Sequence, residues 1–394
     1  MLKGNFLHRL YFYGICIVLC LPLLSWQPMF APPDWAKNIV FRSITAILLF
    51  AFLWEVLQKK RTVDFKSLAK NKVVWALAGL FCIYFLASIF SADPLFSFWG
   101  SPYRGGGFVN FAFYFIFAFL VLMTAKKEDW QKFWNISIVV GCLAALVGIL
   151  QYLGLIFESA GRPASTIGNP ILLGIYLLLL IFVTISFAIK EKIAWKKAGY
   201  IAAVLLFLFT ILIAGSRAAW LGLLIGAVYF LFFYPSQNAK NIKIIKVSAA
   251  CLLIIAALFV AYINTSEHFP KFLEESSLFT EIKTRLSLDL LLIDPRFTAW
   301  KEIDVKIVAD RPFLGYGLEN FSIGFDRYYD PSVPYIDKNW GAWWDRAHNI
   351  IFQTASDAGV FAVIIYIALF VALFWQMSRC AKSGEARQKI TTHA

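Results

Sequence analysis

Charged residues and metal-ligand motifs are scarce in this sequence. Only 15% of the 394 residues are charged whereas 60% are apolar, a composition that excludes a water-soluble domain. The six cysteines form no CxxC pair and have no histidine near them, which excludes a disulfide framework and a zinc site. The acidic residues form no cluster with metal-ligand spacing. We therefore expect neither a metal nor another cofactor.

Other absences narrow the class of protein further. The apolar runs are continuous and lack the alternation of membrane β-strands, so a β-barrel is excluded. No small-residue cleavage site follows the first apolar run, which therefore predicts a membrane span and not a signal peptide. The basic residues are spread along the chain and not clustered on one polar face, which argues against nucleic acid as a partner.

Long apolar runs dominate what is present. A run of about 20 residues, at about 1.5 Å per residue, crosses the hydrocarbon core of a bilayer, so each run predicts a transmembrane helix. The predicted fold class is an all-α polytopic membrane protein with about ten transmembrane helices. The predicted spans are Leu10–Trp26, Asn38–Leu57, Val73–Ser91, Val109–Ala125, Phe133–Gly154, Pro170–Ile189, Ala198–Ala214, Arg217–Tyr234, Val247–Asn264 and Asn349–Met377.

The distribution of lysine and arginine predicts the orientation. The net charge of +13 comes largely from every second connection, such as the one with Lys59, Lys60 and Arg61, whereas the opposite short connections hold one basic residue each. Because basic loops stay in the cytoplasm, both termini are expected there. Basic anchors over anionic lipid also account for the charge without any nucleic acid.

A long polar segment, 265–348, breaks the pattern of short loops on the predicted outer side. It carries fourteen acidic and ten basic residues. We expect a large, partly helical extracytoplasmic loop, with an amphipathic helix over Phe297–Ala309 and a turn, Arg311–Gly317, whose glycines can let backbone approach a ligand. The chain thus divides into nine spans (1–264), this loop, a tenth span (349–377) and a cytoplasmic tail (378–394).

Three arginines lie on the predicted outer side in unusual settings. Arg217 follows Gly215 and Ser216 between two apolar runs, where a guanidinium is costly unless it meets an anion or an acid. Arg104 and Arg162 occupy short loops shaped by glycine and proline. Several arginines on one face suit phosphate, because guanidinium stays charged and binds two oxygens at once. Snorkelling to the outer headgroups is the alternative for Arg217, and an ordinary surface arginine is the alternative for Arg104 and Arg162.

One histidine has the position expected of a base. His8 and His393 are predicted to be cytoplasmic, and His268 follows the ninth span without a nearby motif. His348 opens the last span beside aromatic and charged residues, and an imidazole with a pKa of about 6.5 accepts a proton at neutral pH. A structural histidine at a helix start is the alternative. Asp357, inside the same predicted span, is expected to pair with an arginine of another helix.

Several short motifs follow one another in a fixed order. They are Trp99-Gly100 with Arg104, Gly168-Asn169-Pro170, Gly215-Ser216-Arg217, Arg296-Phe297-Thr298-Ala299-Trp300, Arg311-Pro312-Phe313-Leu314-Gly315-Tyr316-Gly317 with Asn320-Phe321, and His348-Asn349 with Gln353 and Gly359. In their order and sidedness they resemble the O-antigen ligase and polymerase superfamily of bacterial envelope enzymes. The resemblance extends from about Ser91 to Asp357.

That resemblance implies a membrane glycosyltransferase with a GT-C-like fold in the bacterial inner membrane, active on the outer face without a metal. The donor would be a glycan on a polyprenyl-diphosphate carrier such as undecaprenyl diphosphate. The resemblance makes His348 the base and assigns Arg217 and Arg296 to the diphosphate. Weaker substrate-binding candidates are Arg104, Arg162, Arg311, Arg346 and Asn349.

The acceptor is open at this stage. Ligation to lipid A core in lipopolysaccharide synthesis, polymerisation of glycan repeats, transfer to a protein as an O-oligosaccharyltransferase and addition to a cell-wall polymer share a donor. A small-solute or ion transporter is the alternative of another class. Transporters commonly contain internal repeats around a site at the membrane midplane. No repeat is seen here and the polar residues gather at the outer face, which favours an enzyme.

Overall fold

The regular structure of this chain is helical. The computed structural model describes residues 2–25, 32–101, 104–156, 162–233, 239–266, 268–289, 294–330 and 343–391. These residues form helices and connecting turns and contain no strand. Helices are the expected outcome for long apolar runs, because in lipid each backbone donor and acceptor must be satisfied within its own segment.

Most of the predicted spans correspond to one helix each. In chain order the helices are α1 (Leu2–Cys20), α2 (Pro32–Leu57), α3 (Phe65–Ala69), α4 (Lys72–Ile89), α5 (Pro94–Trp99), α6 (Phe108–Thr124), α7 (Asp129–Tyr152), α8 (Pro170–Lys190), α9 (Ala194–Ile213), α10 (Arg217–Phe233), α11 (Ala239–Thr265), α12 (Lys271–Glu274), α13 (Ser277–Leu286), α14 (Pro295–Ala299), α15 (Val305–Asp310), α16 (Phe321–Arg327) and α17 (Ile350–Thr391).

Seven apolar helices in the described part of the chain are long enough to cross a membrane. They correspond to α1, α2, α4, α7, α8, α9 and α17. Three shorter apolar helices, Phe108–Thr124, Arg217–Tyr229 and Leu253–Thr265, coincide with the remaining predicted spans. The chain is therefore a multi-pass helical protein, and the count of ten spans stays a prediction.

Some helix ends differ from those predicted. α11 begins at Ala239, eight residues before the predicted Val247, and α17 continues to Thr391 through most of the predicted cytoplasmic tail. Hydropathy marks where a helix becomes apolar, whereas backbone hydrogen bonding continues into polar sequence. The predicted ends at Trp26 and Tyr234 lie outside the described residues.

The chain forms two compact units that alternate along the sequence. The first unit comprises Met1–Leu7, Arg42–Thr124 and Asp294–Ala394, and the second comprises His8–Phe41 and Ala125–Ile293. The predicted loop 265–348 is therefore divided between them. The core of the first unit includes Leu80, Tyr84, Ala87, Phe108, Leu318, Ala358 and Ala362, and that of the second includes Ile138, Ala145, Leu173, Leu177, Ile181, Phe207 and Ile211.

Two predicted helix entries in the second unit are confirmed. Asn169 caps α8, since its side-chain oxygen accepts hydrogen bonds from Ile171 N and Leu172 N. Ser216 caps α10 by accepting from Ala219 N at 3.3 Å. Asn and Ser favour this position because their short side chains satisfy the unpaired first N–H groups of a helix.

In the first unit, the last helix is broken where one continuous span was predicted. Gly359, with φ 80° and ψ 175°, interrupts α17. The break leaves carbonyls without helical partners, and the turn after α15 supplies donors to them. Tyr316 N donates to Ser356 O at 2.6 Å, and Gly317 N donates to Asp357 O at 3.1 Å. The tenth span is thus two helical pieces joined by an extended residue.

The same contact continues on the other side of the break, where Val360 N donates to Pro312 O at 2.8 Å. A Cβ at Gly315 would overlap the backbone of Ser356, and Gly315 itself has φ 66°. We predicted that the glycines of this turn let backbone approach a ligand. The structure shows that Gly315 lets the turn approach α17, and the approach of a ligand stays a prediction.

The predicted amphipathic helix over Phe297–Ala309 is confirmed. α14 and α15 are joined by a π-helical turn, Trp300–Asp304, into one helical stretch. Ile303 and Ile307 are fully buried on its inner side. Their spacing of one helical turn puts both on the face that packs in the first unit.

The π-helical turn also buries a carboxyl group. Asp304 is 2% exposed, and neither of its carboxyl oxygens has a hydrogen-bond partner among the described residues. Burial raises its pKa to about 7. Because the pKa is higher in the folded chain than in the unfolded one, this group favours folding while it is protonated. That contribution is lost as the pH rises through about 7.

We expect replacement of Gly359 by alanine to destabilise the chain by about 1–3 kcal/mol from backbone strain alone. The added Cβ would also overlap the Phe313 carbonyl. Thermal unfolding of the purified chain in detergent measures the loss. Gly199→Ala is the matched control, because Gly199 lies in α9 with open space around it and alanine favours helix. Equal melting temperatures for the two variants would contradict this account of the break.

Asp304→Asn should raise the melting temperature more at pH 8 than at pH 5. At pH 8 the native carboxyl is ionised in a buried site, which costs roughly 2–4 kcal/mol for a shift of this size. At pH 5 the folded carboxyl is protonated, and folding costs only about 1–2 kcal/mol for the proton that the unfolded carboxylate must take up. Glu302→Gln, on the same helical stretch but with an exposed side chain, is the control. A gain of the same size at both pH values would contradict the assigned ionisation.

Candidate functional site

His348 lies at the start of α17 in a strained backbone conformation. Its φ of 52° falls in the left-handed region, which is rare for residues other than glycine. The preceding Ala347 is fixed through both of its backbone groups. Its N–H donates to the Gln353 side-chain oxygen at 3.0 Å, and its carbonyl accepts from the Trp300 indole N–H at 2.6 Å. These two bonds determine where the imidazole is placed.

The side chain of Gln353 is itself held by a residue one turn further along α17. Its amide nitrogen donates to both carboxylate oxygens of Asp357, at 2.9 and 3.0 Å. We predicted that Asp357 pairs with an arginine of another helix, but within the described residues its hydrogen-bonding partner is Gln353. The carboxylate thus orients the amide whose oxygen holds Ala347, and Asp357 supports the histidine through two intermediates.

Asn349 caps the helix that follows the histidine. Its side-chain oxygen accepts from Ile351 N at 2.9 Å and from Phe352 N at 3.4 Å. This is the ordinary role of asparagine at a helix start. Its predicted contact with substrate stays a prediction, since the cap uses the amide oxygen.

The imidazole of His348 is exposed. It meets the Trp344 ring edge to face at 6.0 Å between centroids, and no described residue hydrogen-bonds to it. The pKa of His348 lies below its ordinary value, first because of partial burial and then because of the positive charge of Arg296. Arg104 and Arg346 act in the same direction, and Asp345 opposes them. The imidazole is therefore neutral at pH 7 and able to accept a proton.

Two of these arginines are neutralised by carboxylates. Arg104 donates to Asp345 at 2.5 Å, with both side chains nearly half exposed. Arg346 pairs with Glu319, whose side chain is largely buried. Glu319 also has a left-handed backbone, with φ 63°. A side chain at Gly106 would overlap the Glu319 carboxylate, so glycine there lets the loop of Arg104 approach it.

Arg296 carries its charge with the weakest compensation of the three. Its guanidinium Nε lies 3.9 Å from Asp294, which caps α14 by accepting from Arg296 N at 3.1 Å. About half of the Arg296 side chain is exposed. Arg296 is thus the positive group near His348 that is best able to attract an anion.

Arg311 belongs to a different group of side chains. It stacks on the Tyr316 ring at 4.8 Å, and the Tyr316 hydroxyl donates to Asp310 at 2.5 Å. Arg327 pairs with the same carboxylate at 3.2 Å. The structure does not place Arg311 among the charges that act on His348, and its predicted substrate contact stays a prediction.

The second unit gathers another set of arginines at the Gly215 break. Arg162 donates to the carbonyls of Ala214 and Gly215 at 2.6 and 3.0 Å, and Arg217 donates to the Arg285 carbonyl at 2.8 Å. Both guanidinium groups therefore bind the carbonyls at the ends of helices, where the helix dipole favours positive charge. Burial is the first cause that lowers the pKa of Arg162, and Arg285 is the second.

Glu281 lies among these arginines. It pairs with Arg285 at 3.0 Å, one turn along α13, and lies 3.8 Å from Arg162. Gly215 has φ 57°, and a Cβ there would come within 2.8 Å of the Glu281 carboxylate. The glycine of this motif therefore allows both the turn and the close approach of an acid.

Sequence reasoning missed several residues of these two clusters. Glu319 and Glu281 are ordinary acids in a charged segment, and only the fold brings Glu319 to Arg346 and Glu281 to Arg162. Arg42 donates to Asn110 at 3.1 Å and to the Gly105 carbonyl at 3.3 Å, so it supports the loop of Arg104. Its position inside an apolar run was the signal that identified Arg217 and could have identified it too.

Apart from Arg311 and the helix cap Asn349, the predicted site residues thus fall into two groups. His348, Arg104, Arg296 and Arg346 surround one position in the first unit, whereas Arg162 and Arg217 meet in the second. The convergence of Arg217 with His348 stays a prediction. No group of three or more metal-ligating side chains occurs in the described ranges.

Comparison with known families identifies the segment that contains most of these residues. The family described as O-antigen ligase matches residues 202–367. This part of the chain is similar to the O-antigen ligase family. A comparison with curated proteins finds no match.

The family match includes Arg217, Arg296 and His348, together with the break at Gly359. The resemblance that the motifs indicated is therefore confirmed over this range. Arg104 and Arg162 lie before it, and the extension of the resemblance to about Ser91 stays a prediction. Together with the apolar helices, the similarity to this ligase family indicates a multi-pass membrane protein.

The charges around His348 predict opposite shifts in two variants. Asp345→Asn removes a negative charge and should lower the pKa of His348 further. Arg104→Gln removes a positive charge and also frees Asp345, so it should raise the pKa. NMR titration of the imidazole, in a chain whose other histidines are replaced by glutamine, measures both. Shifts of the same sign in the two variants would contradict the electrostatic arrangement.

Proposed function

We propose that this chain is a membrane glycosyltransferase of the O-antigen ligase type. It transfers a glycan from a polyprenyl-diphosphate carrier to an acceptor hydroxyl on the outer face of the bacterial inner membrane. The observation that carries the proposal is an exposed, neutral histidine, held by its backbone beside arginines, within the segment that matches the ligase family.

The imidazole of His348 acts as the general base. The acceptor oxygen bonds to the anomeric carbon while the bond from that carbon to the diphosphate breaks, and the hydroxyl proton passes to His348. A base contributes to this step only if it is uncharged before the reaction, and the lowered pKa meets that condition. Its exposed ring also leaves access for an acceptor.

Arg296 stabilises the departing diphosphate. Negative charge grows on that group as the glycosidic bond breaks, so fixed positive charge nearby lowers the barrier. Arg104 and Arg346 form ion pairs with Asp345 and Glu319, which leaves Arg296 as the stronger source of uncompensated charge. The role of Arg104 and Arg346 is to adjust the electrostatic potential around the site and to hold its loops in place.

Arg217 is proposed to bind the diphosphate, and Arg162 is a weaker candidate for substrate binding. Their hydrogen bonds to backbone carbonyls orient the guanidinium groups. Fixed arginines reduce the reorganisation needed when an anion arrives. Since the arginines supply the positive charge, the reaction is proposed to need no metal.

His348→Ala should lower the rate of glycan transfer by about 10²- to 10⁴-fold, the usual contribution of a general base. The assay uses purified chain, a lipid-linked glycan and an acceptor in the presence of EDTA, so that continued transfer by the parent chain also tests metal independence. Arg296→Ala should lower the rate as well, because the leaving group loses its positive partner.

His268→Ala is the matched control, since His268 is also exposed and predicted to lie on the same side but belongs to the second unit. Its transfer rate should equal that of the parent chain. Parental transfer by a correctly folded His348→Ala chain would overturn the base assignment. Movement of a solute driven by an ion gradient, without transfer, would favour the transporter.

A further inference from the structure

An open apolar groove runs between α4 and α17 of the first unit. It has a volume of about 710 Å³, within the range of roughly 300–1,000 Å³ found for ligand pockets. The space between the two helices is open because the residues that line it there are small. They are Ala76 and Gly79 on α4, and Ala368 and Ala372 on α17. The walls are isoleucine and valine side chains, so the groove suits a hydrocarbon chain.

Two tryptophans and a lysine lie at one end of the groove. Trp75 and Trp375 line it together with Lys72. The Trp75 indole N–H donates to the Ala69 carbonyl at 2.7 Å, which fixes this ring at the start of α4. Tryptophans with one polar edge are typical of the boundary between hydrocarbon and headgroups, so this end of the groove lies at a membrane surface.

The same end carries concentrated positive charge. The Lys72 ammonium lies 4.2 Å from the centre of the Trp375 ring, and the Arg379 guanidinium lies 4.0 Å from it. An aromatic ring attracts a cation but leaves its net charge unchanged. Neither residue forms an ion pair within the described part of the chain. Two cations that form no ion pair with a described residue therefore flank the mouth of an apolar groove.

This end is remote from His348. Trp375 lies roughly 24 Å along α17 from the break at Gly359, at 1.5 Å per residue, and His348 precedes that break. The distance is comparable to the hydrocarbon thickness of a bilayer. The groove therefore opens toward the leaflet opposite the proposed catalytic site, which is the cytoplasmic leaflet in the predicted orientation, and does not belong to the site around His348.

We infer that this groove binds a phospholipid with an anionic headgroup from the cytoplasmic leaflet. One acyl chain would lie against Ala76, Gly79 and Ala368, and the headgroup phosphate would meet Lys72 and Arg379. The charge complementarity selects an anionic lipid over a zwitterionic one, since each basic residue near the surface contributes to attraction for negative lipid. The inference is independent of the proposed glycosyl transfer.

Native mass spectrometry of the full chain in detergent tests the inference. Dioleoyl phosphatidylglycerol should be retained at least tenfold more tightly than dioleoyl phosphatidylcholine, which has the same acyl chains. Lys72→Gln or Arg379→Gln alone should weaken phosphatidylglycerol binding about fivefold, and the two together about 30-fold. Added salt should also weaken it, because the attraction is largely electrostatic.

Two further variants separate a specific site from the general lipid surface. Lys196→Gln is the charge control, because Lys196 also lies over an exposed tryptophan, Trp195, but does not line the groove. It should bind phosphatidylglycerol like the parent chain. Ala368→Trp fills the groove while both cations remain, and a folded chain with this change should lose the bound lipid.

Equal retention of the two lipids, or unchanged phosphatidylglycerol binding in the Lys72→Gln, Arg379→Gln chain, would overturn the inference. A parent chain that is dimeric and becomes monomeric with Ala368→Trp would assign the groove to a second copy and also overturn it. Thermal unfolding of each variant confirms that the chain is folded before its lipid binding is compared.

Discussion

The hydrogen bonds between the Gly359 break and the turn that follows α15 fix the arrangement of the first unit. A helix interrupted among apolar neighbours exposes donors and acceptors that lipid cannot satisfy, so another backbone must meet them. The turn does so through Tyr316, Gly317 and Pro312. Because the turn is tied to α17, the helical stretch before it brings Trp300 to Ala347, and the histidine is fixed as a consequence.

The electrostatic character of the site follows from this framework. His348 is kept neutral by partial burial and by arginines, and two of those arginines are themselves paired with acids. If the arginines had no carboxylate partners, they would disfavour protonation of His348 strongly, but the guanidinium groups would also repel one another. The ion pairs with Asp345 and Glu319 limit that repulsion and leave Arg296 with the larger uncompensated charge. Proton acceptance and anion attraction can therefore occur side by side.

The second unit uses arginine differently. Arg162 and Arg217 close the ends of helices by binding carbonyls, and Glu281 lies among the guanidinium groups. Such contacts make the arginines part of the fold before any ligand arrives. Residues of this kind serve stability and anion binding together, which means that a loss of activity on substitution is informative only when folding is measured as well.

The sequence by itself determined the helical class, the positions of the apolar helices, the Gly215 break and the similarity of residues 202–367 to the O-antigen ligase family, because hydropathy and local motifs are properties of neighbouring residues. Only the tertiary structure decided the break at Gly359 and the acids that pair with Arg104 and Arg346. Those features depend on groups far apart in the chain, and a local pattern holds no information on which distant carbonyl or carboxylate will be nearest.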